Sequence, residues 1–416
     1  MNILNLNLPK AHFHSLIEYV KSGHTVYNTW SIDSIRYEPS FGIKYLTKEE
    51  NKPLRNSSYG VSDKEELIKH IEDIITKYDI DLLQVCIPNY GFLHTHFADK
   101  LKYIGPTEKS SELETNKLYG KMVAKALGLK VPSIIKQGKY SDPDYATYSE
   151  FPYVEKPSYI WNPATVFYNQ EDNGLAQYQR DVLDYPRHVD MDYYIEEYID
   201  DMIETNVFFT IANGEYSITH TQQIIGENLN KTVKQNVWYF NSYIKPLEPE
   251  VDKIVRQQAG IYLEEIAKMG GRWEGSFCGA YTSKGEWYFL ETNVRPDIFN
   301  STPTFMTGDE YLKGMFEDVS LFEKAWENKN VEKLLIVNTD HLANYPIDLH
   351  IKYGVQFPNN LEIKEDGNYV VTQYGTMGDG EGVGTVVTDH NIPQEFIKEV
   401  EETTTWRFNE EPNLSI

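Results

Sequence analysis

Apolar positions recur with two different periods along the first hundred residues. The run ILNLNL, Ile3 to Leu8, alternates and predicts a first strand, AHFHSLIEYVKSG predicts a helix, and HTVYNTW predicts a second strand. Strand, helix and strand in that order imply a parallel alternating unit. A further helix is expected with Ser62 as N-cap and Glu65 as its capping-box partner, burying Leu67, Ile71, Ile74, Ile75 and Tyr78 at helical spacing. DLLQVCI, Asp81 to Ile87, reads as another buried strand, so residues 1 to about 105 are expected to form an α/β, Rossmann-like domain.

The rhythm then changes. SSELETNKLYGKMVAKALGLKVP predicts one helix closed by Gly128, with Pro132 just beyond. A short apolar strand, FPYVEKP, sits in a run rich in Tyr, Asp and Asn from about 139 to 192. Two hairpins are expected, one turning at Asn213-Gly214 and one near Lys284-Gly285. Between them Pro249 to Met269 predicts a long helix carrying Val251, Ile254, Val255, Tyr262, Leu263 and Ile266. This mixture makes 106–325 an α+β domain. Residues 326–416 are expected to form a small β-rich C-terminal domain ending in a helix near 393 to 403. In it GTMGDGEGVG reads as a turn ahead of a phosphate-binding loop.

Composition narrows the classes. A chain of 416 residues fits two or three domains at about 150 residues each, with 40% hydrophobic residues to fill their cores. Asp and Glu outnumber Lys and Arg by 63 to 39, a net charge of -24. That field repels phosphate backbones, so no long nucleic acid is expected as a partner, and any nucleotide needs local cations or a metal. Cys86 and Cys278 make no disulfide framework and read as small buried hydrophobes. No apolar run approaches the roughly 20 residues that cross a bilayer. A soluble, cytoplasmic protein is expected.

One strand carries chemistry. In YFLETNVRPD, Tyr288 to Asp297, uninterrupted alternation puts Phe289, Glu291, Asn293 and Arg295 on one face, each about 7 Å from the next. A carboxylate and an amide oxygen are hard ligands suited to Mg²⁺, and a guanidinium beside them can clamp a phosphoryl oxygen. The same residues could equally form a Glu291 to Arg295 ion pair at a strand end. Four histidines, His12, His14, His94 and His96, stand in pairs only two apart on expected helices, so a metal cluster is disfavoured. His188, His220, Lys231 and Lys234 read as solvated, although they could reach a cleft.

Taken in order, these segments resemble the ATP-grasp superfamily, whose last core strand carries an E-x-N-x-R pattern, here Glu291, Asn293 and Arg295. NKLYGKMVAKALGLKVPS is similar to its opening helix, which implies that Lys117 contacts phosphate. FPYVEKP resembles the strand whose lysine, Lys156, reaches the α- and β-phosphates. YYIEEYID resembles the hinge that holds adenine, so Glu196, Glu197 and Tyr198 would line the base, and Glu204 would bind ribose. Within the superfamily the likeness is greatest to the phosphoribosylamine-glycine ligases, through LKYIGPTEKSSELETNK, the metal-strand hairpin and HLANYPIDL.

The resemblance implies a carboxylate-amine ligase using ATP and Mg²⁺, with Arg295 and Lys156 at the reacting phosphate and Glu291 and Asn293 on the metal. Its partners would be a small-molecule carboxylate and an amine. Two departures stand out: NLNLPKAHFHS has no glycine where that branch cradles its amine substrate, and SYIWNPATVFYNQ replaces the Gly-rich lid after Lys156. A different amine is therefore expected, and the alternative is a nucleotide-binding protein without turnover.

Overall fold

The computed structural model describes residues 1–6, 13–29, 42–55, 63–142, 150–158, 165–167, 192–226, 234–235, 242–296, 306–327, 334–339, 370–377 and 381–388, with 395 and 398. The final helix expected near 393 to 403 lies almost wholly outside them, as do His12, His188 and Lys231.

The first layer is a parallel sheet of β1 (Asn2–Leu6), β2 (Thr25–Asn28), β3 (Lys44–Tyr45), β4 (Leu82–Val85) and β5 (Lys102–Pro106), in the order β5-β4-β1-β2-β3. Alternation works on both faces. Leu4, Leu6, Leu83 and Val85 pack with α2 (Lys48–Arg55), α3 (Lys64–Tyr78) and α4 (Leu93–Phe97), while Ile3, Val26, Leu82 and Ile104 pack with α1 (Phe13–Lys21). The N-cap of α3 is Asp63, which accepts from the Glu66 N–H at 2.9 Å, so the cap sits one residue beyond the expected Ser62. Aspartate caps as well as serine, and Asp63 has the extended backbone a cap requires.

The single helix expected after residue 110 is broken into α5 (Glu108–Thr115) and α6 (Lys117–Ala126). Asn116 causes the break: its side chain accepts from the Tyr119 N–H and caps α6, and the Lys117 N–H goes to the Ser158 carbonyl instead of back along a helix. A Cβ on Gly120 would stand 2.6 Å from the Leu113 carbonyl oxygen, so glycine there lets α6 lie directly against α5.

A small antiparallel sheet follows, built from β6 (Ile134–Lys139), β7 (Tyr153–Pro157), β8 (Thr165–Phe167), β9 (Asp192–Glu197) and β12 (Lys234–Gln235), ordered β12-β8-β7-β9-β6. The large antiparallel sheet holds β10 (Met202–Ala212), β11 (Glu215–Gly226), β13 (Ser242–Pro246), β14 (Gly271–Thr282), β15 (Trp287–Asn293), β16 (Leu334–Thr339), β17 (Val370–Met377) and β18 (Glu381–Thr388). Asn213 and Gly214 both have positive φ, 56° and 80°, the conformation a two-residue hairpin turn requires. β17 and β18 pair antiparallel across GTMGDGEGVG, as a turn there demands.

Helix α7 (Pro249–Ala267) covers one face of the large sheet, where Val255, Tyr262, Leu263 and Ile266 meet Val207, Phe209, Phe277, Trp287 and Phe289. β14 also pairs with β5 through Gly271 and Arg272, which joins the large sheet to the first layer. Helices α8 (Gly308–Phe316) and α9 (Leu321–Glu327) return to that layer, packing Tyr311, Met315 and Phe322 beside Leu16 and Tyr19. Among the described residues no helix is long and apolar enough to cross a membrane.

Packing around the β14 and β15 hairpin is tight. A Cβ on Gly279 would fall 2.2 Å from Nε1 of Trp287, which donates to Thr205 Oγ1 at 2.9 Å. Gly279→Ala is expected to cost about 1–3 kcal/mol through overpacking. The measurement is a urea unfolding midpoint, which should fall with little change in slope.

Candidate active site

Strand β15 does not keep the alternation its sequence suggests. Its register on β14 pairs Phe289 with Gly279 but Glu291 with Cys278, so Leu290 is an extra, bulged residue. Before the bulge Trp287 and Phe289 enter the α7 core; after it Thr292 and Val294 do, Thr292 through a 2.8 Å hydrogen bond with Tyr262. Glu291, Asn293 and Arg295 therefore share a face with one another but not with Phe289. This corrects the uninterrupted alternation, because a one-residue bulge exchanges the two faces.

The face so created meets lysines from two other elements. Lys117 Nζ lies 3.4 Å and Lys156 Nζ 3.8 Å from Glu291 Oε2, which has no hydrogen bond of ordinary length. On β7, Lys156 sits opposite Tyr194 of β9 and reaches diagonally to Glu196 Oε1 at 3.0 Å, while Lys121 pairs with Glu196 Oε2. Burial pushes Glu291 toward its neutral form, but the ammonium groups of Lys117 and Lys156 outweigh that and hold it down at about 2. Burial likewise opposes the charge on Lys156, yet Glu196, Tyr194 and Glu291 raise its pKa above the usual lysine range. Three ammonium groups against two carboxylates leave one positive charge in excess, buried and facing the sheet.

Arg295 and Asn293 complete the face. Arg295 Nε donates to Glu114 Oε1 at 2.8 Å, and the neighbouring Val294 N–H donates to Glu114 Oε2 at 2.6 Å. The ion pair of Arg295 is thus with Glu114 and not with Glu291. Asn293 donates to Ser276 Oγ at 3.1 Å and accepts from Arg295 Nη2 at 3.5 Å. Opposite Glu291, Cys278 donates to Asn206 Oδ1 at 2.9 Å, and both cysteines are buried and reduced.

The structure brings together Lys117, Lys156, Glu196, Glu291, Asn293 and Arg295. Alternation on β9 puts the Glu196 side chain on the face of Tyr194 and Lys156, where it is spent on two lysines. Glu197 Oε1 accepts from the Ser133 N–H at 2.9 Å, and Tyr198 follows, half-buried, at the end of β9. Glu204 stands opposite Ala280 on β10, two residues from Asn206 and on the same sheet face. His220, read as solvated, is buried between Phe208 and Trp326, with ring centroids 4.4 and 3.6 Å away. His96 pairs with Glu72 at 2.7 Å, and no cluster of metal-ligating side chains occurs among the described residues.

Two residues of the cluster escaped the sequence reading, Lys121 and Glu114. A signal existed for the first: Lys117, Gly120, Lys121 and Ala124 form the buried stripe of α6 at three- and four-residue spacing, while apolar Met122 is 59% exposed. A stripe that hides two lysines and exposes a methionine is built for anions rather than for a core.

The residues suit a divalent cation carrying polyphosphate. Glu291 Oε2 and Asn293 Oδ1 are hard donors on one face, and the excess positive charge beside them calls for an anion.

No protein-family model matches the chain and no curated protein matches it in sequence. Solved structures do match over 97% of the chain. L-amino acid ligase from Bacillus licheniformis aligns at 12% identity and TM-score 0.65 over 97% of its own length. The biotin carboxylase domain of 2-oxoglutarate carboxylase from Hydrogenobacter thermophilus, solved with MgADP, ADP and bicarbonate, aligns at 13% and 0.61 over 89%. N5-carboxyaminoimidazole synthetase from Staphylococcus aureus, complexed with ADP, aligns at 13% and 0.58 over 96%. The chain has the ATP-grasp fold that these proteins share.

Proposed function

We infer that this protein is an ATP- and Mg²⁺-dependent ligase that joins a carboxylate to an amine and releases ADP and phosphate. The observation that carries the reading is the buried cluster of Lys117, Lys121 and Lys156 around Glu196 and Glu291, with its excess positive charge. Neighbours of the same fold are ligases and carboxylases, two of them solved with ADP.

In this reading Lys117 and Lys156 bind the phosphates, and Arg295, fixed by Glu114, orients the transferred phosphoryl group against the substrate carboxylate. Glu197, Tyr198 and the backbone of Glu196 flank the base, and Glu204 takes the ribose. Glu291 and Asn293 would hold Mg²⁺, which when bound neutralises phosphate charge. No covalent nucleophile is needed, because phosphoryl transfer depends on positioning and charge. The amine then attacks the acyl phosphate carbon, the C–N bond forms, and inorganic phosphate leaves. The likeness to phosphoribosylamine-glycine ligases makes glycine the first carboxylate to try, with an amine other than that branch's own. The glycine-free SYIWNPATVFYNQ favours a second reading, ATP binding without turnover.

The test is thermal unfolding with and without Mg-ATP, for the wild type and Glu291→Ala. At a hundredfold excess over Kd, binding adds about 2.7 kcal/mol, a rise of several degrees. The increment should need Mg²⁺ and vanish in the variant; no increment in either protein sinks nucleotide binding. Screening carboxylate and amine pairs for ADP release then separates ligase from binding protein.

A further inference from the structure

Lys117 and Lys156 suffice for the phosphates, so Lys121 calls for its own account. Lys121 and Glu196 are each 1% exposed, and neither can exchange its partner for water. Glu196 is divided between two cations, Lys156 on Oε1 and Lys121 on Oε2. The two lysines differ in freedom. Lys121 Nζ also lies 5.5 Å above the Tyr194 ring, tucked between α6 and β9, whereas Lys156 Nζ has a second carboxylate, Glu291, within 3.8 Å on the side where phosphate would arrive.

We propose that Lys121 is a positioning residue for Lys156: by keeping Glu196 compensated, it lets the Lys156 ammonium pass from Glu196 to a nucleotide phosphate. The proposal rests on the nucleotide reading above and deepens it. A buried carboxylate that loses its last cation is strongly disfavoured. With Lys121 in place, Glu196 keeps one partner when Lys156 moves, and the move costs little. Without Lys121, Lys156 is the remaining cation on Glu196 among the described residues, and the carboxylate competes with phosphate for it. The same logic makes Glu196 an opponent of nucleotide binding through its side chain. Removing Lys121 and Glu196 together takes out one charge of each sign, so the excess positive charge is unchanged.

The experiment is calorimetric titration of the full-length protein with Mg-ADP, for wild type, Lys121→Met, Lys121→Arg, Glu196→Gln and Lys121→Met with Glu196→Gln. Lys121→Met should weaken binding about tenfold, about 1.4 kcal/mol. The double variant and Lys121→Arg should return to within about threefold of wild type, and Glu196→Gln alone should bind at least as tightly as wild type. Unchanged affinity in Lys121→Met overturns the proposal, as does a double variant as weak as the single, which would mark Lys121 as mere packing. Should Lys121→Met not fold, Glu196→Gln decides: binding weakened tenfold would refute competition between Glu196 and phosphate. Absence of Mg-ADP binding in the wild type would overturn the nucleotide reading itself, and this inference with it.

Discussion

Glu114→Ala is expected to cost about 3–5 kcal/mol of stability, the usual loss when one partner of a buried ion pair is removed. Glu114 is 2% exposed and serves two donors at once, the Arg295 guanidinium and the Val294 N–H. Burial pushes its carboxyl toward the neutral form, opposed by Arg295, the Val294 N–H and Lys117. Alanine takes the carboxylate acceptor from the buried Val294 N–H and the half-buried Arg295 guanidinium and frees the end of β15 from α5. Glu114→Gln keeps an acceptor and the volume but not the charge, so a smaller loss of about 1–3 kcal/mol is expected. Urea titration of the three proteins checks the ranking. A loss below 1 kcal/mol in the alanine variant would show that Arg295 finds another partner. If the ligase reading holds, ADP release should fall in both variants, because Arg295 is then no longer fixed.

The second large effect concerns pH. Glu274 on β14 is 3% exposed, accepts from Tyr311 through Oε2 at 3.1 Å, and has no hydrogen bond at Oε1. Burial raises its pKa from 4.5 to about 7, with Tyr311 pulling slightly the other way. Between these values the folded chain holds a proton that the unfolded chain has released. Stability from this group is therefore complete below 4.5 and is lost as pH rises through about 7. A tenfold change in proton affinity is worth about 1.36 kcal/mol, so the whole loss is about 3 kcal/mol. Glu274→Gln should match wild type near pH 4 and exceed it by about 3 kcal/mol at pH 8, measured by urea unfolding at both. Equal differences at the two pH values would mean that Glu274 stays ionised in the fold.

Much of the fold was legible because its signals are local. Alternating runs gave β1, β2 and β4, and the Asn213-Gly214 turn placed the β10 and β11 hairpin. The resemblance of the segments that carry Lys117, Lys156 and Glu291 implied that they converge, and they do. What was not legible depends on contacts between distant segments. The bulge at Leu290 is invisible to a period-two reading, which assumes that no residue is skipped. The break at Asn116 was hidden because the residues on both sides favour helix. Glu196 was assigned to a base through the resemblance of YYIEEYID to a hinge, and that likeness could not show its side chain reaching Lys156 and Lys121 across the sheet and helix. Glu114 could be recognised only with Arg295 beside it.

The bulge makes the chemistry of β15 a matter of parity. Up to Phe289 the odd-numbered residues belong to the core; from Thr292 the even-numbered ones do. The site exists because the pairing leaves Leu290 out of the count. Pairing that took Leu290 into the ladder would leave every functional side chain in the sequence and turn Glu291, Asn293 and Arg295 toward Tyr262, so in this strand the residue left out of the pairing carries as much information as those kept in it.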